Sequence, residues 1–436
     1  MVDRQMHIGL SLSATWLRGS AWRSEDSRVE EMFSPALFVE LARRAEAARL
    51  DFVFRADTLF LDPQGLGAAP GFSSLDPMVQ LAAIAQATSH IGLVTTASTT
   101  FNPPFVTARQ LQSLHWISNG RAGWNIVTAL DGQANFGLDS MPEAEWRYER
   151  AAEFTELVRA LWRSYPHDAL VLDRAAGRFA ESDRVAPVDH RGKHFSVAGP
   201  LTLPGHPAGP PPLFQAGASE TGRDFAASVA DAIFASTPDM AAAIALRQEL
   251  RRRARALGRA ENAIRVMPGL ALILAETRAE ARVMFNALQS RQDVERRYAF
   301  IEKSLGLDLR GRPLDSRIDP ETIGGIAPSV RSRTHAELLL QLIVNDSPTI
   351  AELLRRPESS GSAHWQIVGT PADAAETIAE WFAAEALDGV IALPGTMASL
   401  GLFLDAVVPA LAERGIFRKE YGGATLAHHL GIEGEG

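Results

Sequence analysis

The chain has 436 residues, 46% hydrophobic and 22% charged, with 43 basic against 52 acidic residues, a formal net charge of −9 and no cysteine. Disulfides, thiolate metal sites and a cysteine nucleophile are excluded, and the charge balance argues against a nucleic-acid footprint despite the run Arg251-Arg252-Arg253, which reads as a solvated helix face. No apolar run approaches the ~18 residues of a membrane span, and the amino terminus is too short and polar for a signal peptide, so a cytoplasmic protein is expected.

Along the chain, strand-like and helix-like segments alternate. Residues 8–12 form a first strand, followed by a helix over 35–49 with Leu37, Phe38, Leu41, Ala45 and Ala48 on one side. A second strand covers 51–56, and Asp76 caps a helix to Thr88 with Pro77 at its first position. Strand three (91–97) runs into Ser98-Thr99-Thr100, and a helix over 105–117 leads to the Asn119-Gly120 turn and strand four, 122–128. An amphipathic helix (143–164) and a Pro- and Gly-rich stretch with some β-hairpin character interrupt the rhythm. It resumes with strands at 212–216, 231–235 and 266–274, separated by helices at 220–230 and 238–257. Residues 277–368 read as helical segments around a Gly-, Pro- and charge-rich loop, 305–333, expected to be a poorly ordered lid. A helix (371–385), an eighth strand (389–393) and a closing helix (400–414) follow.

This alternation fits a doubly wound sheet or a closed barrel, and eight strand–helix pairs favour the barrel. The expected fold is therefore α/β, a TIM (β/α)8 barrel in a single domain over 1–436, with insertions after strand four (143–211) and strand seven (277–365).

On such a barrel the polar strand ends gather at one mouth: Asp57, Thr96, Ser98, Asn125, Thr128 and Gly217-Ala218-Ser219. Asn125 taken alone reads as a satisfied core amide; its company at the mouth makes it a site candidate. Ser219, ahead of a helix, reads as an N-cap and, with the free N–H groups behind it, as a phosphate seat. Neither G-x-G-x-x-G after the first strand nor a P-loop is present, and His90, His115, His167, His190 and His194 lack metal-ligand spacing.

Several ordered runs carry a resemblance: Thr95-Thr-Ala-Ser-Thr-Thr-Phe-Asn102, the stretch 119–128, Arg147-Tyr-Glu-Arg-Ala-Ala-Glu-Phe154, Gln215-Ala-Gly-Ala-Ser219, and Phe417-Arg-Lys-Glu-Tyr-Gly-Gly-Ala-Thr-Leu426. Together they resemble the bacterial luciferase-like flavin monooxygenases, in the branch of the nitrilotriacetate, EDTA and dibenzothiophene-sulfone monooxygenases, over about residues 6–431. The resemblance implies a barrel that takes reduced FMN (FMNH2) from a separate NAD(P)H:flavin reductase. With O2 it forms a C4a-peroxyflavin that oxygenates a small organic substrate, in a dimer or tetramer paired through barrel helices. It implies Asp57 and Ser98 near the flavin ring, Asn125 and Tyr148 around the middle and Ser219 at the phosphate, with Thr96, Gly217 and Ala218 beside them. The Asn125 amide, holding a peroxide or flavin carbonyl oxygen, is the catalytic candidate. Ile117, Trp124 and Ile126 can supply apolar walls, although Trp124 reads also as core packing.

One departure concerns Ala144, where the family has a histidine four residues before the tyrosine, on the same helix face. Two alternatives stay open: a deazaflavin-dependent oxidoreductase on the same barrel, and a non-catalytic flavin- or ligand-binding relative, which Ala144 favours. The insertions carry no dense basic cluster for a polyanion.

Overall fold

The computed structural model describes residues 4–12, 21–217, 219–290, 294–327, 330, 333–361 and 364–432. Its strands are β1 (His7–Ser11), β2 (Phe52–Arg55), β3 (Gly92–Ser98), β4 (Ala122–Val127), β5 (Leu170–Asp173), β6 (Arg178–Ala180), β7 (His190–Arg191), β8 (Ser196–Val197), β9 (Leu213–Gln215), β10 (Ala232–Ala235), β11 (Arg265–Leu274), β12 (Trp365–Gly369) and β13 (Gly389–Pro394). Parallel pairing runs β1-β2-β3-β4-β9-β10-β11-β13 and back to β1, a closed ring of eight. The ring strands are those expected from the sequence, and the fold is a TIM barrel.

Helices α1 (Pro35–Ala47), α2 (Pro77–Ala85), α3 (Pro104–Ile117), α4 (Ala144–Arg163), α5 (Glu220–Val229) and α6 (Met240–Ala256) cover the outside. Their starts follow from local chemistry: Ser34 accepts from Ala36 N, and Asp76 accepts from Met78 N and Val79 N, each ahead of a proline that needs no donor. The outward strand positions Ile8, Leu10, Val53 and Leu93 pack on Leu37, Phe38 and Leu41 of α1. Arg251 and Arg253 are ion-paired, to Asp388 at 3.1 Å and Glu249 at 2.6 Å, so the arginine run is more than a solvated face.

Four charged side chains clasp the strand starts in pairs. Asp51, before β2, accepts from Ile8 N of β1 at 2.7 Å; Asp231, before β10, accepts from Leu213 N of β9 at 2.8 Å; Asp388, before β13, accepts from Val266 N of β11 at 3.0 Å. Arg121, before β4, donates to Ile91 O ahead of β3 at 2.8 Å. Burial opposes ionisation of Asp51, but the Arg418 guanidinium and the His7 and Ile8 hydrogen bonds outweigh it and hold its pKa below the usual carboxylate range.

The carboxyl-terminal segment closes this end of the barrel. Leu426 inserts so deeply that a Cβ on Gly92 would lie 2.5 Å from one of its methyls, and one on Gly123 2.7 Å from the other. Tyr421 Oη donates to Leu50 O at 2.7 Å, and the His429 ring meets His90 O at the same distance.

The first insertion contains the antiparallel hairpins β5–β6 and β7–β8. Glu153 of α4 fastens the second, accepting from His194 N and Phe195 N at 2.9 Å. The second insertion holds α7 (Arg278–Ser290), α8 (Val294–Leu305), α9 (Arg333–Asp346) and α10 (Ile350–Arg355). Two expectations fail there. The stretch expected to be helical ends in β12, a ninth parallel strand on β11. The expected lid is packed: Leu307, Leu309 and Ile318 are buried against Ile301, Leu339, Ile343 and Leu353, and Ile318 N donates to Pro348 O at 3.0 Å. Four buried apolar residues, Leu305, Leu307, Leu309 and Ile318, with Ile323 and Ile326 packed beside them, suffice to anchor a segment whose average composition is polar; residues 328, 329, 331 and 332 of it lie outside the described residues. After β12 come α11 (Pro371–Ala383), α12 (Met397–Leu402), α13 (Val408–Glu413) and the short α14 (Leu426–His429). No helix among the described residues is long and apolar enough to cross a membrane.

Candidate functional site

Strand alternation decides what faces the barrel interior. Ile8, Leu10, Val53, Leu93, Val390 and Ala392 join the outer core, so Ser11, Phe54, Thr96 and Ile391 point inward, as do Asn125, Phe234 and Gly269 by the same parity. Following the registers round the ring, Phe54, Asn125, Phe234 and Ile391 come to one level, one from each alternate strand, the layered filling of this fold. Phe54 and Phe234 meet edge to face with centroids 5.2 Å apart. Above this floor most inward positions are small, Ser11, Ala56, Thr96, Ser98, Ala216 and Gly269, with Val127 and Leu393 the larger members. Small residues over an aromatic floor leave room for a planar ligand at the mouth, where Ala216 is exposed and Phe234 half-buried.

Within that space Asn125 Nδ2 donates to Thr96 Oγ1 at 2.9 Å, and Asn125 Oδ1, although buried, has no hydrogen-bond partner among the described residues. A buried amide oxygen without a donor is costly, roughly 1–3 kcal/mol, and marks a place for a ligand donor. Ser98 Oγ accepts from Thr100 N at 3.1 Å and ends the same strand as Thr96. Asp57 is half-buried just past β2; burial raises its carboxyl pKa, Asp76 adds to the rise, and the Thr58 hydrogen bond and Arg55 oppose it. The loops after β2 and β4 are laced over the mouth by Asn135 Nδ2 donating to Leu59 O at 2.8 Å.

The turn between β9 and α5 forms a second polar corner. Ser219 caps α5, its Oγ accepting from Gly222 N at 3.2 Å, and Gly217 N donates to Gln215 Oε1 at 2.6 Å. Tyr148 belongs to this corner: a Cβ on Gly222 would lie 2.7 Å from its Oη, and one on Gly217 2.9 Å. Arg223 Nε, on the first turn of α5, is buried without a hydrogen-bond partner among the described residues. Helix N–H groups, a serine hydroxyl and a spare guanidinium N–H suit a phosphate. Ala218 lies outside the described residues. Ala144 is the exposed first residue of α4, one turn before Tyr148.

The expected apolar walls are elsewhere. Trp124 and Ile126 have the opposite parity to Asn125 and pack outward with Phe154, Leu157 and Leu161 of α4; Trp124 Nε1 donates to Ala97 O at 3.1 Å. Ile117 is 46% exposed at the end of α3. None of the three lines the mouth.

The sequence reading missed His364. Its ring stacks on Phe234 at 5.3 Å and 8°, so close above Gly269 that a Cβ there would lie 2.4 Å from Nδ1. The cause is topological. β10 pairs with β11 only over Arg265–Pro268, while β13 holds the other edge, so β12 takes the vacated edge at Leu270–Leu274 and starts inside the mouth. The alternation of Trp365, Gln366, Ile367 and Val368 was the available signal for that strand.

The luciferase-like monooxygenase family model matches residues 17–387. The chain is 36% identical over 434 residues to the N-acetyl-S-(2-succino)cysteine monooxygenase of Bacillus subtilis (strain 168), covering 99% of this chain and 97% of that one. It is equally 36% identical over 445 residues, with the same coverage, to nitrilotriacetate monooxygenase component A of Aminobacter aminovorans. The solved structure of a riboflavin lyase with modified FMN and riboflavin superposes with a TM-score of 0.84 at 29% identity, over 99% of this chain and 96% of that one.

Proposed function

This chain belongs to the luciferase-like monooxygenase family, and from that premise we propose that it is the oxygenase of a two-component system. It takes reduced FMN from a separate NAD(P)H:flavin reductase and uses O2 to oxygenate a small organic substrate. A relative named as component A supports the two-component reading, and one whose solved structure carries modified FMN supports the cofactor.

The observation that carries the reading is the unpartnered Asn125 Oδ1 above an aromatic floor, ringed by small side chains. Reduced flavin, when bound, supplies the electrons that activate dioxygen. The residues of the chain bind, orient and shield. Asn125 offers an acceptor to a ring N–H, held in place by the Thr96 hydroxyl. Ser219, the N–H groups of α5 and Arg223 offer donors to the phosphate, which favours FMN over an unphosphorylated flavin. Phe54, Phe234 and Ile391 seal the floor against water, and the laced loops after β2 and β4 shield the top.

Anaerobic titration with FMNH2, followed by oxygen, tests the proposal. Saturable binding and a transient flavin absorbance after mixing with oxygen are expected. Binding without that transient favours the deazaflavin or non-catalytic alternative, and absence of any flavin binding removes the reading.

A further inference from the structure

Resting on the flavin assignment above, the candidate cofactor residues come from β2, β3, β4 and β9, one half of the ring. The facing half is completed by β12. Trp365 and Ile367 are buried in the outer core, so the alternation turns His364 and Gln366 toward the mouth, beside Gly269 and Ala271 of β11. His364 lies flat on Phe234 and so joins the aromatic floor to this wall.

Charge restricts what this space accepts. Segments 56–108 and 122–146, which include the loops after β2, β3 and β4, contain no lysine or arginine. Leu61, Leu66, Phe72, Leu130, Phe136 and Leu138 are each at least 41% exposed along them, and their charged side chains, Asp57, Asp62, Asp76, Asp131, Asp139, Glu143 and Glu145, are all acidic. Arg147, at the start of α4, is tied to Ala129 O and Pro142 O. Among the described residues, no cation stands at an inward strand position above the floor. A polycarboxylate meeting the loops after β2, β3 and β4 would be desolvated against carboxylates and methyl groups, with no lysine or arginine from those loops to pair with it.

We propose that His364 and Gln366 form the substrate-facing wall, and that the substrate is an uncharged organic molecule with an apolar body and one hydrogen-bonding group. The apolar body rests on Phe234 and Ile391; the polar group meets the imidazole or the amide. The first two relatives described above are named for polycarboxylate substrates, so this chain diverges from them in specificity while keeping the cofactor half.

Calorimetric titration of the purified protein with dibenzothiophene sulfone and, separately, nitrilotriacetate tests the proposal without turnover. The sulfone is expected to bind, nitrilotriacetate at least tenfold more weakly, and His364→Ala and Gln366→Ala each to weaken the sulfone by about tenfold. His364→Gln, which keeps a donor and an acceptor, should recover part of the loss, and FMNH2 affinity should stay within about twofold in all three variants. Tighter binding of nitrilotriacetate, binding of neither probe, or sulfone affinity indifferent to both alanine variants overturns the proposal. So does a parallel loss of FMNH2 affinity, which would move His364 to the cofactor half. If wild-type protein binds the sulfone as described but no flavin, the cofactor reading fails and the wall stands.

Discussion

Asn125 Nδ2 and Thr96 Oγ1 are joined at 2.9 Å between residues that are register partners on adjacent strands, and that bond turns Asn125 Oδ1 toward the open barrel. Asn125→Ala should therefore weaken FMNH2 by about tenfold, the loss of one buried hydrogen bond, with little change in melting temperature. Thr96→Val, which frees the amide to rotate, should have a smaller effect of the same sign. Fluorescence titration measures both, and unchanged affinities would remove Asn125 from the cofactor site.

The corner of Ser219, Gly222 and Arg223 should make FMN bind at least tenfold more tightly than riboflavin, because only FMN carries the phosphate. Ser219→Ala should narrow that gap. Gly222→Val should narrow it further, since any Cβ there meets Tyr148 Oη. Equal affinities for the two flavins in the wild type would exclude a phosphate role.

Asp57 has a carboxyl pKa raised by burial. Its folded-state pKa thus lies above the unfolded one, so its contribution to stability is complete below the ordinary carboxylate pKa and is lost as pH rises through the folded value. Asp57→Asn should raise the melting temperature at pH 7 and lose that advantage near pH 4. A lower melting temperature for the variant at pH 7 would contradict this, whatever happens to flavin binding.

Burial lowers the pKa of His115 to about 3 and of His429 to about 4; their partners are the carbonyls of Gly209 and His90. Both pKa values are depressed on folding, so the stability each contributes is present above about pH 6.5 and is lost as pH falls toward 4 and 3. The loss is about 1.4 kcal/mol per pH unit for each histidine. His429→Gln, which retains an N–H for His90 O, should flatten the fall in melting temperature between pH 6.5 and 4.5. An unchanged slope would show that other groups govern acid unfolding.

Leu426 fills the closed end of the barrel against Gly92 and Gly123. Leu426→Ala should cost roughly 2–5 kcal/mol. Gly123→Ala should also destabilise, yet the double variant should be less damaged than the sum, because the new methyl enters the space vacated. Strict additivity in denaturant melts would mean the two side chains do not compete.

Much of this was legible in the amino acids. The eight ring strands were found within one residue at each end because each is a short β-favouring run between breakers, and Asp76 and Ser219 announced their helices. Asn125, Thr96 and Ser98 share the inward parity that their positions in the sequence already imply. Trp124 and Ile126, of the opposite parity to Asn125, fall outside for the same reason. β12 was hidden by brevity and by long helices around it. His364 has no motif at all: it reaches the mouth only because β10 stops pairing at Ala235.

The four clasps fall on β1 with β2, β3 with β4, β9 with β10, and β11 with β13, so every strand of the ring belongs to one clasped couple. The barrel can thus be regarded as four two-strand modules of alike construction, three secured by an aspartate and one by an arginine. A lineage that lengthened or exchanged the connections between modules would leave each clasp intact, whereas a break inside a module would separate the two halves of a lock. The β2–β3 connection falls between modules, and so does the first insertion, between β4 and β9. The second insertion falls inside one, between β11 and β13, where β12 adds a further strand to the arm that the lock holds.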